Sequence, residues 1–425
     1  MRGNGESVRA HRLAVIAAAG GLLLAACSGG GGQPAAVLAR AAARRAAPAI
    51  TPADGSTGIT PGSGVTVTSA AGRIAAVRVT TARGIPVSGT LTWPARRRAV
   101  WHSTWALAIA QRYTVTATAI DAVGKAVTTS SSFRTIKPAR TFQAQIYEGA
   151  HQTFGVGMPV ILTFSHPVTN RAGVERALQL RTSRPVTGAW YWDGGRTLYF
   201  RPRSYWPPRT TVHLDAHLDG VPGAAGRYGS RDLTQTFQIG RSLIVEASAA
   251  THQMRVYRSG QLRYTWPIST GRPGDDTPDG TYLTIDKGNP VLMTGPGYSL
   301  EVPWSVRFTW TGDYLHDAYW SVGEQGLRNV SHGCVNMAPA DAETYYLMED
   351  PGDPVTITGS PLGGTWDNGW TVWFLSWPKL LAGSALGQAV LAGPAGSRFV
   401  NPAALPPSTA RYPLQTATPH SARAA

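Results

Sequence analysis

Apolar and polar residues alternate with a period of two over most of the chain. Val65 and Val67, then Ala75, Val77 and Val79, then Val160, Leu162 and Phe164 put every second side chain on one side of an extended segment, and Gly, Pro and Asn separate the runs. That period predicts half-buried β-strands joined by tight turns. Beyond about Arg241, Leu243-Ile244-Val245 and Met254-Arg255-Val256-Tyr257 read as strands, Ser259-Gly260 as a hairpin turn and Tyr264 to Ser269 as the returning strand. A loop rich in Gly, Pro and Asp follows from Thr270 to Gly280, and strand-like text runs on to Tyr314. One main helix is expected. It begins near Pro339, carries Asp341 in its first turn and Tyr345, Tyr346 and Met348 at apolar positions, and stops at Pro351-Gly352. Val355-Thr356-Ile357 closes the domain as a strand. Trp366, Trp370, Trp373 and Trp377 fall on one face of a short helix, although Gly369 argues against a regular one; packing onto a neighbouring domain is their expected use.

A weak internal repeat has an offset of 99 residues. Pro86-Val87-Ser88-Gly89 recurs as Pro185-Val186-Thr187-Gly188, Trp93 aligns with Trp192 and Trp101 with Phe200. Tyr113 to Ala117 has a looser counterpart in Thr211 to Asp215, and Ser132-Phe133 ends one unit as Thr236-Phe237 ends the other. Two all-β units of this size are expected to be immunoglobulin-like sandwiches. Their repeated aromatics are expected in the cores, and a sugar-stacking platform of Trp190, Tyr191 and Trp192 is the sharper alternative. The expected organisation is a signal segment at 1–26, a flexible linker at 27–52, sandwiches at 53–138 and 139–240, and a mostly β domain with one main helix at 241–360. A Trp-rich piece at 361–378 and a disordered tail at 379–425 complete it.

The N-terminal segment carries Arg2, Arg9 and Arg12 before an apolar run from Leu13 to Ala26. That run is too short to cross a bilayer as a mature helix and reads as a secretory signal. Leu24-Ala25-Ala26-Cys27 resembles the lipobox of bacterial lipoproteins, where cleavage precedes a cysteine that receives a lipid; cleavage after Ala26 with Cys27 a spectator is the alternative. Either way the protein is expected outside the cytoplasm, facing the cell wall, and in the first case anchored to the membrane. Gly29 to Gly32 and the Ala, Arg and Pro stretch after them suit a spacer. The net charge of +15 is carried mostly by single Arg residues, apart from Arg96-Arg97-Arg98. Outside the membrane it indicates loose attraction to wall polymers and headgroups rather than nucleic acid.

With Cys27 modified, Cys334 is the only remaining thiol, since the sequence holds two cysteines. It lies in Ser331-His332-Gly333-Cys334-Val335-Asn336. Attack by sulfur on an acyl group needs thiolate, hence a base; His332 lies two residues away, and His316 is near enough in sequence for a hairpin to bring it alongside. Gly333 lets backbone pass close to a carbonyl, and the amides around Gly333 and Cys334 suit an oxyanion. A metal site of His316, His332 and Cys334 lacks a fourth ligand and any CxxC or HxxxH pair. An inert buried cysteine beside a core histidine is the remaining reading.

The text from His316-Asp317-Ala318-Tyr319-Trp320-Ser321-Val322-Gly323 through Ser331 to Asn336, preceded by Ser269-Thr270-Gly271 and Thr277-Pro278-Asp279-Gly280-Thr281-Tyr282, resembles the ordered motifs of the L,D-transpeptidases. With a lipobox, two sandwiches and a Trp-rich end, the chain is similar to the multi-domain actinobacterial branch of that family. The resemblance implies that Cys334 is the nucleophile and His316 the general base. It implies that His332, Gly333 and Cys334 shape the oxyanion pocket, that His332 and Ser331 order the loop, and that Tyr298, Thr311, Gly312 and Asn336 contact the donor peptide. Peptidoglycan stem peptides are the implied substrates, 3→3 cross-links the implied product and carbapenem β-lactams the implied inhibitors, with no cofactor. An L,D-carboxypeptidase or murein peptidase that gives the same acyl-enzyme to water, and a non-catalytic wall-binding lipoprotein, are the alternatives. Asp317 departs from the family's usual Ser or Gly. It is harmless if its backbone carbonyl holds the imidazole, and it raises the imidazole pKa if its carboxylate does.

Overall fold

The structure, a computed structural model, describes residues 37, 40, 41, 44–93, 99–295 and 298–407. The signal segment, Cys27, the spacer glycines, Arg96 to Arg98 and the chain beyond 407 lie outside the described residues.

The strands pair as the period-two pattern requires, mostly antiparallel. The first sandwich packs a sheet of Pro48–Thr51, Thr66–Ser69, Val100–Ser103 and Gly89–Thr92 on a sheet of Arg73–Thr81, Arg112–Ile120 and Ala126–Arg134. Its first strand, Pro48–Thr51, lies in the stretch expected to be linker. Proline is tolerated there because the strand forms a sheet edge, where one row of N–H groups needs no partner. The 99-residue offset is the distance between two equivalent hairpins. Leu91 pairs with Trp101 in the first as Trp190 pairs with Phe200 in the second. In each, the aromatic ring of the second strand lies over the repeated glycine: a Cβ on Gly89 would stand 2.0 Å from Trp101, and one on Gly188 would stand 2.3 Å from Phe200. The repeat was legible because both hairpins need that bare backbone. Trp93 breaks the match, exposed where Trp192 is buried.

In the second sandwich Trp190 and Trp192 are core, and Tyr191 packs edge-on against Trp366, so these three rings form no open platform. Its larger sheet has six strands, two of which come from the far end of the chain. Ala389–Gly393 pairs with Val186–Asp193, and Gly396–Val400 pairs with Ala389–Gly393. This corrects the disordered tail expected from 379. Helix Trp377–Ala382 and the two strands fill residues 377–400, and Ala, Gly and Ser there reflect small side chains on a closely packed added strand pair. Glu175, fully buried, ties the insertion down by accepting from Trp192 Nε1 at 2.8 Å, Ser384 Oγ at 2.8 Å and the Ala385 and Leu386 amides at 2.7 and 3.3 Å.

The four tryptophans do not share one helix. Gly369 at φ +126° breaks the segment, leaving a 3-10 turn at Val372–Phe374 before the short helix. They pack onto the neighbouring domain. Trp373 donates from its indole to the Gly157 carbonyl at 2.7 Å, and the Arg201 guanidinium lies 4.2 Å above its ring while donating to the Leu375 carbonyl. Arg201 is buried and its pKa is pushed down to about 10 by that burial. One apolar cluster therefore runs from the second sandwich through Trp370 and Trp373 to Ile244, Leu283 and Ile285.

From residue 243 a five-stranded sheet has the order Gln261–Pro267, Gln253–Arg258, Leu243–Ser248, Pro354–Thr358, Gly280–Leu283. The Ser259-Gly260 turn has both residues at positive φ, matching the twist of the flanking strands. A second sheet has the order Asp286–Gly288, Ser305–Arg307, Tyr314–Asp317, Val335–Met337, and its last pair is parallel. Helix Pro339–Met348 starts on a proline, whose missing N–H is no loss at the first turn, and buries Ala342 and Tyr345.

Candidate active site

The parallel pairing of Tyr314–Asp317 with Val335–Met337 places His316 opposite Asn336. Continuing the register by one residue sets Cys334 against Tyr314, on the same side of its strand as His316 because residues two apart share a face. Two earlier motifs pin this loop. Ser269 exchanges backbone bonds with Asn336, Ser331 N–H donates to the Thr270 carbonyl, and Gly271 N–H donates to Thr277 Oγ1, whose hydroxyl donates to the Gly333 carbonyl at 2.6 Å. Ser331 turns the loop from inside, donating to the Cys334 carbonyl at 2.6 Å and accepting from Gly333 N–H at 3.2 Å. Gly333 sits at φ +123°, a conformation that side-chain-bearing residues rarely adopt.

Cys334 is half-buried at the floor of an opening of about 570 Å³, its Sγ 3.8 Å from the Gly312 carbonyl. Burial is the first cause, and the Asp313 carboxylate a further one, that push its thiol up to about 12, against the Tyr314 N–H that draws it down. His316 is buried. Its Nδ1–H donates to the Asp317 carbonyl at 2.7 Å, which fixes the tautomer and leaves the lone pair on Nε2. Burial lowers its pKa to about 4, with the Asp317 carbonyl opposing, so the ring is neutral through the physiological range. Trp320 stacks on it at 5.8 Å between centroids. The arrangement offers a protonated thiol, a neutral imidazole and no preformed thiolate–imidazolium pair.

The Asp317 question resolves toward the backbone: its carbonyl holds the imidazole. The side chain is buried and accepts from the Tyr319 N–H, while Oδ1 has no partner. Tyr298, Thr311 and Gly312 line the opening, and the Tyr298 ring tilts over His332 at 5.3 Å. Asn336 does not line it. Its side chain is buried and its amide is spent on Ser321 Oγ, to which it donates at 2.9 Å. The Gly333 amide is engaged by Ser331 and so does not stand free as the expected oxyanion donor, while His332 is exposed and lines the opening. Among the described residues no group of three His, Cys, Asp or Glu side chains could hold a metal ion.

Two features escaped the sequence reading. The segment after the last strand of the domain forms one wall, with Leu362, Gly363, Thr365 and Asn368 lining the opening. Asn368 grips the Thr311 backbone and hydroxyl, both at 2.9 Å. No spacing signal announces a side-chain clamp between residues so far apart in sequence. Asp313 is the other feature, inconspicuous in text between Gly312 and Tyr314 yet projecting toward Gly333.

Residues 242–357 match the family model described as the L,D-transpeptidase catalytic domain, and residues 56–222 match a bacterial Ig domain. L,D-transpeptidase 5 of Mycobacterium tuberculosis is 34% identical over 358 residues, covering 80% of this chain and 78% of the relative. L,D-transpeptidase 2 of the same species is 32% identical over 344 residues, covering 78% and 83%. A solved structure of the LD transpeptidase LdtMt1 in complex with imipenem is 34% identical, covers 50% of this chain and 97% of its own, and has a TM-score of 0.44. Similarity of this extent to proteins of one kind, across the sandwiches as well as the thiol-bearing domain, means that the chain belongs to the L,D-transpeptidase family of transferases.

Proposed function

We propose that the protein builds 3→3 cross-links in peptidoglycan by acyl transfer through Cys334. The reading is carried by one observation: the thiol at the floor of the opening immediately precedes a strand that pairs in parallel with the strand bearing an imidazole of fixed tautomer. Sγ turns from the Gly312 carbonyl, gives its proton to His316 Nε2 and attacks the carbonyl at the L-centre of the third stem residue. The carbon–nitrogen bond to the terminal D-alanine breaks as the imidazolium returns the proton to the departing amine, leaving a thioester. The side-chain amine of a second stem then attacks. A new amide forms, the carbon–sulfur bond breaks, and the proton released by the amine reprotonates the thiol by way of His316. With the Gly333 amide engaged by Ser331, the Cys334 amide is the loop's donor to the oxyanion. Tyr298, Thr311 and Gly312 contact the donor, and His332 braces Tyr298.

Intact mass of the purified protein after incubation with a tetrapeptide donor tests this. The expected adduct has the mass of the donor less D-alanine, discharged to a dimer when an acceptor stem is added; absence of the adduct refutes the reading. A carbapenem is expected to acylate the same sulfur. The Leu24 to Cys27 text supports a lipid anchor at Cys27 and a position outside the membrane, facing the wall. Palmitate labelling lost in Cys27→Ala is the expected result.

The pH dependence follows from His316. Its imidazole is depressed to about 4, so it stays unprotonated and able to accept a proton well below the usual histidine range. Acyl-enzyme formation is expected to persist from pH 7 down to about 5 rather than fall with an ordinary histidine titration near ~6.5. Asp317→Ser, which keeps the carbonyl, should leave that profile in place. A shift of the acid limb in this variant would show that the carboxylate acts on the ring.

A further inference from the structure

The opening around Cys334 is acidic in a basic protein. Asp275, Asp276 and Asp313 line it, and no Lys or Arg does among the described residues, although the chain carries a net charge of +15. Two of the three are accounted for. Asp275 is paired with Arg272 at 2.7 Å, and Asp276 accepts the Gly274 N–H at 3.2 Å. Asp313 has no cationic partner among the described residues. Its Oδ2 accepts from Thr309 Oγ1 at 2.8 Å, while Oδ1 points at the thiol loop, so near that a Cβ on Gly333 would stand 2.5 Å from it. The ionisable groups around it are Tyr282 and Cys334, with Tyr298, Tyr314 and His332 farther round the opening, and none supplies a fixed positive charge.

We propose that Asp313 is a specificity-determining residue that binds the side-chain ammonium of the donor stem's diamino acid, and that this ammonium offsets the negative charge beside Cys334. The inference rests on the acyl-transfer reading above. The residue whose carbonyl is attacked also carries the amine, so the cation and the reacting carbonyl enter the opening together. An unpaired carboxylate beside the nucleophile opposes thiolate formation in the free enzyme, and burial pushes the carboxyl itself upward. A cation on Oδ1 relieves both. The empty site is thereby held unreactive toward other electrophiles, and the correct donor carries its own activator.

The test compares acyl-enzyme formation, by intact mass and without acceptor, from two tetrapeptide donors. One has a free side-chain amine, and in the other that amine is replaced by methyl. Wild-type protein is expected to prefer the amine donor about tenfold or more, the size of one charge-assisted contact. In Asp313→Asn the preference should collapse to within about twofold, and iodoacetamide should alkylate Cys334 in the free protein several times faster. Equal rates for the two donors on the wild type overturn the proposal without any variant. So does a preference that survives in Asp313→Asn, or one that shows only when acceptor is added. Failure of both donors to form any adduct would sink the acyl-transfer reading itself, whereas the alkylation rates report on Asp313 independently of any donor.

Discussion

Cys334→Ala should form no adduct with a tetrapeptide donor or a carbapenem, and its transpeptidation should fall by a factor on the order of 10⁴ or more, because the step that breaks the amide has no substitute nucleophile. The opening offers no other thiol, and the Thr311 hydroxyl that lines it is engaged with Thr309 and Asn368. Removing one half-buried sulfur costs only about 1 kcal/mol of packing, so the variant should melt close to the parent. The check is digestion of wall from cells expressing either form. Equal amounts of 3→3 dimers would remove Cys334 from the reaction, and a reduced but donor-dependent adduct would point to a second nucleophile.

Glu175→Ala is expected to cost about 3–5 kcal/mol, the range for breaking a buried charged network and leaving its partners unpaired. Four donors converge on this carboxylate, and three of them lie in the returning segment at Ser384, Ala385 and Leu386. Loss should therefore appear first as release of residues 384–400. Limited proteolysis should cut there before it cuts the catalytic domain, and the lower-denaturant part of a urea transition should move. A change under about 1 kcal/mol, with no new cleavage, would mean that the strand pairing holds the segment unaided.

Much of this fold and site is legible in the sequence. Period-two alternation marked the strands. The thiol, both histidines and the two motifs that clamp their loop all lie in ordered text between Ser269 and Asn336. What stayed hidden depends on the direction or reach of a side chain. Asn336 ends the motif yet spends its amide on Ser321, a partner that its place in the text does not announce. The Gly333 amide is consumed by Ser331, a bond that spacing alone does not reveal. The C-terminal strands were missed because Ala, Gly and Val in short runs score as a weak strand when read alone. They become one only against the edge presented by Val186 to Gly188.

That late pairing carries a consequence for biosynthesis. A chain grows from its N-terminus, and domains ordinarily complete themselves in that order. Here the second sandwich is among the first parts made and cannot finish its six-stranded sheet until residue 400 has left the ribosome. A product stopped near residue 360 already holds the thiol, the imidazole and the loop that joins them. It also exposes the bare edge at Val186 to Gly188, a template for stray strands. With the closing strands made last, copies that stop short of residue 400 are expected to carry an intact thiol site together with a sandwich prone to edge-to-edge association.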